Sequence, residues 1–166
     1  MRFIKGLSDT VYTLEKFLVV LLLPALLLSL FSDVVFRYIF NSPLLWAQET
    51  ALFTFIFASF IGASMSVKVR EAVAVTILVD RVNESLRNVL IIIGMIISLI
   101  FTVAIFYLSV KWILNPNILL QRSVTTQIPM IIPYLSIPIS LLFMIVHFVY
   151  LLIESFHASN ERQAVE

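Results

Sequence analysis

Apolar residues form four long runs separated by short polar segments. The runs cover about residues 17–36, 44–67, 89–110 and 128–153. A helix that crosses the ~30 Å hydrocarbon core of a bilayer needs about 20 mostly apolar residues. Backbone polar groups in lipid have to be satisfied within the protein, and a helix satisfies its own. The pattern therefore predicts an all-α integral membrane protein with four transmembrane helices in a single membrane domain over 1–166.

Composition supports this class. Of the 166 residues, 61% are hydrophobic and 13% are charged, whereas a soluble domain is about 45–50% apolar and about 25% charged. High hydrophobicity also excludes intrinsic disorder. The net charge of +1 offers no basic stripe for nucleic acid. Because the chain has no cysteine, disulfides, thiolate catalysis and cysteine-ligated metals are excluded.

Basic residues predict the orientation. Eight of the eleven lie in the N-terminal tail, the 68–87 segment or the C-terminal tail, and three lie in the two other loops. By the positive-inside rule, both termini and 68–87 are cytoplasmic. The basic start over 1–16 resembles a signal-peptide n-region, but no small-residue cleavage site follows, so we interpret the first run as an uncleaved span.

Several boundaries follow from local signals. We expect an amphipathic connector over about 68–87 that lies against the membrane or a partner, or only links two spans. Asn83 suits the N-cap of a helix that extends to Leu114, about 48 Å at 1.5 Å per residue. Pro24 is expected to kink the first span. Pro129 suits a first helical position, and two later prolines predict a bent or late-starting last helix.

Ionisable residues within the spans are few. Asp33 and Arg37 are four residues apart, a spacing that suits a local ion pair, with a transport or docking role as the alternative. Glu49 lies in the first turns of the second span, where the helix dipole favours it. A buried contact with a partner or with Arg37 is the competing interpretation.

Catalytic and cofactor signals are weak. His147 and His157 lie on one segment, so they do not face each other as axial haem ligands would, and we interpret His147 as a hydrogen-bonded interior or interfacial residue. The sequence has no metal-ligand cluster, nucleophilic triad or paired intramembrane carboxylates. We predict no cofactor and no enzyme activity. So little polarity suggests a subunit of a larger machine.

One segment is typical of a known family. The run Arg37-Tyr38-Ile39-Phe40-Asn41-Ser42-Pro43-Leu44-Leu45-Trp46-Ala47-Gln48-Glu49 resembles the signature of the small, DctQ-type membrane subunit of tripartite ATP-independent periplasmic (TRAP) transporters. Weaker matches follow at 62–64, 68–71, 73–78 and 126–138. Ala72 stands where relatives often carry histidine, so no role of that histidine transfers.

The resemblance implies a function without a substrate site in this chain. Such subunits have four helices and cytoplasmic termini and pair with a large membrane subunit. A periplasmic binding protein delivers an organic anion, such as a C4-dicarboxylate or a sialic acid, and uptake is sodium-coupled. The small subunit serves as a scaffold in the bacterial inner membrane. Its expected partners are those two proteins and membrane lipids.

Partner-facing and structural candidates follow from these patterns. Small residues at Ser59, Gly62, Ala63 and Ser66 give one packing face, either for the partner or for an internal helix contact. Arg122 in an outward loop is a candidate contact for the binding protein. The full candidate set is Asp33, Arg37, Asn41, Pro43, Trp46, Glu49, Gly62 and Arg122.

Two other functions compete with the scaffold. One is a small self-sufficient transporter that acts as a homo-oligomer, but such chains carry an essential carboxylate in the middle of the first span, and here Asp33 lies near its end. The other, a membrane enzyme or cytochrome subunit, is disfavoured by the missing ligands.

Overall fold

The structure is a computed structural model that describes residues 2–69 and 84–163, with side chains described for 3–69 and 89–157. Its helices are α1 (Arg2–Ile39), α2 (Leu45–Val69), α3 (Glu84–Ile113), α4 (Pro116–Leu119), α5 (Ile131–Tyr134) and α6 (Ser136–Gln163). Four of them, α1, α2, α3 and α6, are long and apolar enough to cross a membrane. The predicted all-α membrane class is confirmed.

Helix α1 begins much earlier than the apolar run. It has 38 residues and is about 57 Å long at 1.5 Å per residue, so the predicted polar tail over 1–16 is helical from Arg2 onward. Pro24 lies inside the continuous helix. The extra turns at the start of α1 carry side chains that meet other helices.

The third and fourth spans also differ from expectation at their edges. Helix α3 begins at Glu84 and ends at Ile113, which gives about 45 Å. Asn83 and most of the predicted 68–87 connector lie outside the described residues. Pro129 is not the first helical residue, because it pairs with Arg122 in an isolated bridge. The last span is late-starting, as expected, since the short α5 precedes α6.

The long helices pack in a row rather than in a closed ring. Helix α1 packs along α2, α2 packs on α6, and α6 packs on α3, with a smaller contact between α1 and α6. Within the described residues, α1 and α3 have no comparable contact. The middle helices α2 and α6 are therefore the more buried ones, and α1 and α3 form the flanks of the row.

The row has two distinct ends. The connection 40–44 and the segment 114–130 form what we call the loop end. The start of α1, the end of α2, the start of α3 and the second half of α6 form the termini end. Its apolar cluster contains Val67, Met95, Tyr150, Leu151 and Leu152.

Candidate functional site: polar clusters at the two ends

Asp33 organises the connection between α1 and α2. Its carboxylate is buried and accepts hydrogen bonds from Arg37 Nη2 at 2.7 Å, Leu44 N at 3.1 Å and Gln48 Nε2 at 3.1 Å. The ion pair with Arg37 is the local i,i+4 contact that the spacing predicts. Because the other two donors belong to the connection and to α2, Asp33 also ties the end of α1 to the start of α2.

The turn between these helices is a tight reversal that contains Asn41 and Pro43. Asn41 has a φ of 51°, in the left-handed region that asparagine tolerates better than most residues. Phe40 N and Ser42 N both donate to the backbone oxygen of Phe36, in the last turn of α1. Proline suits an extended link because it lacks a donor and fixes φ. Trp46 follows in the first turn of α2 and is 52% exposed, and its role as an anchor at the membrane interface stays a prediction.

Glu49 binds a loop that is far away in sequence. Its carboxylate accepts hydrogen bonds from Ser123 Oγ, from Thr126 Oγ1 at 2.7 Å, and from the backbone N–H groups of Thr125 and Thr126, both at 3.0 Å. The contact with Arg37 that was one competing interpretation of Glu49 is therefore not formed, since Arg37 is held by the carboxylate on its own helix. A carboxylate with several fixed donors stabilises a turn strongly because charged acceptors form the shorter, stronger hydrogen bonds.

The segment that Glu49 holds is a small closed turn. Ser123 N donates to Ile128 O at 2.9 Å. Met130 N donates to Gln121 O at 3.0 Å and closes the turn at its base. Arg122 is exposed, and its Nη1 donates to the backbone oxygen of residue 127 at 3.3 Å. The turn presents two apolar side chains to the outside, Leu120 at 80% and Val124 at 90% exposure. The loop end thus carries a fixed surface with an exposed cation and exposed apolar groups.

A second polar cluster lies at the termini end. Lys68 Nζ donates to Ser8 Oγ and to Asp9 Oδ1, each at 2.8 Å. Ser8 Oγ contacts His147 Nδ1 at 2.9 Å, and His147 Nε2 contacts Glu15 Oε2 at 3.0 Å. Since Lys68 already donates to Ser8, we assign the Ser8 hydroxyl proton to the bond with Nδ1 and the ring proton to Nε2, which donates to Glu15. We call Ser8, Glu15, Lys68 and His147 the polar joint.

The polar joint is deeply buried. Ser8, Glu15 and His147 are each 0% exposed. Lys68 also lies 4.0 Å from the centre of the Tyr150 ring, in a cation–π contact. Glu15 Oε1 is buried with no hydrogen-bond partner among the described residues. Burying a polar group is costly unless it is hydrogen-bonded, so Glu15 depends on the bond from His147 Nε2.

Most of this joint does not follow from the sequence pattern. His147 is hydrogen-bonded and interior, as interpreted, but Glu15 precedes the apolar run and so falls in the predicted polar tail. The spacing of Ser8 and Glu15 is the one sequence feature from which a role for Glu15 could have been predicted. Ser8 and Glu15 are seven residues apart, which places them on one helix face if the helix starts early. Their partner on α6 has no signal in the sequence.

None of the four residues of the small-residue face of α2 is among the buried residues of that helix. The buried face of this helix is a different one and includes Ala51, Ser64 and Val67. Ala63 is exposed, and a Cβ added at Gly62 would meet no heavy atom of the described residues within 4 Å. The exposure of Ser59 and Ala63 favours the partner-facing alternative for this face.

The two polar clusters are separated by about one membrane thickness. Glu15 and Asp33 are about 27 Å apart along α1, and Glu49 and Lys68 are about 29 Å apart along α2, at 1.5 Å per residue. The hydrocarbon core is about 30 Å thick. Among the side chains that the structure describes, no group of three histidine, cysteine or acidic residues is placed to bind a metal ion. The clusters therefore join helices and loops at the two edges of an apolar slab.

Comparison with known proteins assigns the family. A model described as "Tripartite ATP-independent periplasmic transporters, DctQ component" matches residues 26–158. The chain belongs to the DctQ component family. The match includes Asp33, Glu49 and His147, whereas Glu15 precedes it. Membership and the four helices make it a multi-pass bacterial membrane protein.

The DctQ relatives are matched only in part. A C4-dicarboxylate TRAP transporter small permease protein DctQ of Vibrio cholerae is 31% identical over 55% of this chain and 39% of its own length. A sialic acid TRAP transporter small permease protein SiaQ of the same species is 29% identical over 51% and 49%. An isethionate TRAP transporter permease protein DctMQ of Oleidesulfovibrio alaskensis is 30% identical over 57% and 15%. The chain thus spans less than half the length of each.

Proposed function

We propose that the protein is the small permease subunit of a TRAP transporter, which scaffolds a large transport subunit during sodium-coupled, binding-protein-dependent uptake of an organic anion. The family match over residues 26–158 carries this proposal. Relatives named for C4-dicarboxylate, isethionate and sialic acid transport support an organic anion as the substrate class. The site of action is the bacterial inner membrane, with both termini and the termini end in the cytoplasm.

The exposed flanks of the row fit a scaffold. Large apolar side chains of α1 are half-exposed or more, among them Leu27 and Phe31 at 65–67%. Ile97, Ile100 and Phe101 of α3 are similarly exposed, at 62–66%. Such surfaces are stable only against lipid or another membrane protein. An open row of helices offers more of this surface than a closed bundle, which suits a subunit that widens the stationary part of a transporter.

The proposed partner in the membrane is a much larger permease subunit. In the DctMQ relative, the matching segment makes up 15% of that relative's chain. A sialic acid TRAP transporter permease protein SiaT of Haemophilus influenzae is 31% identical over 45% of this protein, and the matching segment makes up 12% of SiaT. A segment similar to this protein is thus covalently part of longer permease chains. We infer that here the same contact forms between two chains, and we assign Gly62 and its outward small-residue face to it.

The proposed partner outside the membrane is a periplasmic binding protein. Arg122 stands on a turn that Glu49 holds fixed, and Asn41 lies in the neighbouring connection. A fixed surface binds with less loss of conformational freedom than a mobile one. In this proposal, Arg122 contacts the binding protein and Trp46 anchors α2 at the membrane interface. The residues that hold the surface in place are Asp33, Arg37, Pro43 and Glu49.

The alternative is a small self-sufficient transporter that acts as a homo-oligomer. The observation in its favour is the buried Glu15–His147 pair, because buried ionisable groups in membrane proteins often mark ion pathways. Its position argues for the scaffold: Glu15 lies about 27 Å from Asp33 along α1, and thus near one edge of the membrane.

Co-purification separates the two functions. The protein, tagged and expressed with its neighbouring reading frames, is extracted in mild detergent and analysed by size-exclusion chromatography and mass spectrometry. The scaffold predicts a complex with one much larger membrane protein. Arg122→Glu is expected to leave that complex intact and to weaken capture of the binding protein, with Lys111→Glu as the matched charge reversal. A homo-oligomer with no larger subunit would contradict the proposal.

A further inference from the structure

Helix α1 makes two kinds of contact with the rest of the protein. It packs along α2 over much of its length and is tied to α2 by Asp33 at the loop end. Its contact with α6 is smaller, and both side-chain hydrogen bonds from α1 to α6 in the described residues end on the imidazole of His147. Ile4 of α1 also packs against the apolar cluster that includes residues of α6, but the polar part of the α1–α6 contact is concentrated on one residue.

In lipid, the position of α1 against α6 depends more strongly on polar contacts than it would in water. Apolar side chains gain little by leaving lipid for another apolar surface, so helix association in a membrane relies on close packing and polar contacts. The side chains of α1 that face outward are apolar over most of its length. Its buried groups toward α6 are instead Ser8 and Glu15, each 0% exposed. Rotating α1 about its axis would put the Glu15 carboxylate into lipid, which is costly.

We propose that the polar joint of Ser8, Glu15, Lys68 and His147 sets the rotation and position of α1 against α6, with His147 as the positioning residue. His147 uses both ring nitrogens, one toward Ser8 and one toward Glu15. Two bonds to residues seven positions apart fix which face of α1 points inward. Lys68 closes the joint from α2 by donating to Ser8 and Asp9.

The joint predicts a specific response to loss of His147. The α1–α2 hairpin stays intact, because its packing and the Asp33 contacts do not involve α6. Helix α1 then rolls about α2 and no longer holds one distance to α6. This inference concerns the conformation of the chain itself, so it stands or falls independently of the proposed transport function.

Spin-label distances in the full chain test the joint. Since the protein has no cysteine, pairs of introduced cysteines are the only labelled sites. Phe3→Cys with Phe156→Cys reports α1 against α6, and Phe3→Cys with Val69→Cys reports α1 against α2. All three side chains are exposed, at 82%, 49% and 48%. Distances are measured by pulsed electron resonance in lipid nanodiscs.

Three variants make the measurement decisive. In His147→Leu, the distribution of α1–α6 distances is expected to broaden, while the α1–α2 distance is expected to stay unchanged. The unchanged α1–α2 distance also reports that the hairpin is folded. His157→Leu is the matched control on the same helix, because the one hydrogen bond of its ring within the described residues is to the backbone oxygen of Ile153. The double variant Glu15→Leu with His147→Leu removes the buried charge but not the apolar packing, and it is expected to lose the α1–α6 distance as well.

The outcomes are distinguishable. Loss of the α1–α6 distance in both His147→Leu and the double variant, with His157→Leu unchanged, supports the joint. A narrow distribution of α1–α6 distances in the double variant means that packing alone positions α1, and it overturns the proposal. An unchanged distance in His147→Leu overturns it too. If His147→Leu does not fold, the double variant and Ser8→Ala, which removes one of the two bonds to His147, decide the question by the same distance.

Discussion

The two ends of the molecule use hydrogen-bonded carboxylates for different purposes. At the loop end, Asp33 and Glu49 accept hydrogen bonds from backbone N–H groups of residues 44, 125 and 126, so each carboxylate shapes a connection. At the termini end, the side chain of Glu15 is hydrogen-bonded only to His147 in the described residues, so it joins one helix to another. Carboxylates at one end order loops, and at the other end they position helices.

This difference has an energetic consequence. Asp33 and Glu49 each have three or more donors, and Glu49 is half-buried, so loss of any single donor leaves others in place. Glu15 is 0% exposed, and one of its oxygens has no partner among the described residues. The termini end should therefore be the more sensitive to a single substitution. Four substitutions test this contrast, and their expected effects decrease from Glu15 to Gly62.

Glu15→Ala should have the largest effect on stability. Leaving a buried donor without its acceptor costs about 1–3 kcal/mol, and more where the lost partner is charged, and here the donor left without an acceptor is His147 Nε2. The measurement is the thermal unfolding midpoint of the purified chain in detergent. Lys16→Ala is the control, because Lys16 is the exposed neighbour on the same helix. Equal midpoints for the two variants would show that the termini end does not depend on the pair.

Glu49→Ala should loosen the loop end locally. The backbone N–H groups of Thr125 and Thr126 lose the Glu49 carboxylate as acceptor, and Thr126 N keeps only Ser123 Oγ at 3.2 Å. Their amides should therefore exchange with solvent roughly tenfold faster or more, as expected for a locally opened segment. Hydrogen exchange followed by mass spectrometry measures this. In Gln48→Ala, which loses a bond to Asp33 instead, exchange at 123–126 should stay slow. Fast exchange at 123–126 in Gln48→Ala but not in Glu49→Ala would contradict the assignment of Glu49 as the residue that holds this turn.

Asn41→Val should destabilise the connection between α1 and α2 by about 1–2 kcal/mol, because a side chain with a branched Cβ is strained in the left-handed region. Asn41→Gly should be tolerated, since glycine adopts a positive φ readily. Unfolding midpoints of the two variants give the difference. If valine and glycine behave alike, the turn does not require this backbone conformation.

Gly62→Ala should have the smallest effect on the isolated chain. An added Cβ meets no atom of the described residues within 4 Å, and alanine favours a helix by up to about 1 kcal/mol over glycine. We expect an equal or slightly higher midpoint, together with weaker co-purification of the large subunit. Ala63→Gly is a matched change on the same face. Unaltered assembly in both variants would remove Gly62 from the proposed partner surface.

The sequence predicts what is local in this molecule. Four apolar runs of spanning length are sufficient for four helices, because lipid permits few other backbone arrangements. Asp33 and Arg37 are four residues apart, so their ion pair follows from helix geometry. Asn41 and Pro43 similarly indicate a turn between two spans.

Contacts between distant segments could not be predicted in the same way. Glu49 meets Thr126 across the whole length of α2 and α3, and Glu15 meets His147 from the opposite end of the chain. The inward face of α2 was not predictable either, because small residues occur on two sides of this helix and only its packing on α6 decides between them. These contacts depend on the order of helices in the row.

Sodium-driven uptake into vesicles decides whether this chain carries a solute or only supports a chain that does. Purified protein is reconstituted alone, and in parallel with its large permease subunit and binding protein, and accumulation of a labelled organic anion is measured under an inward sodium gradient. The scaffold predicts no accumulation by the protein alone and accumulation by the complete system. Specific, sodium-dependent accumulation by the protein alone would contradict the scaffold function.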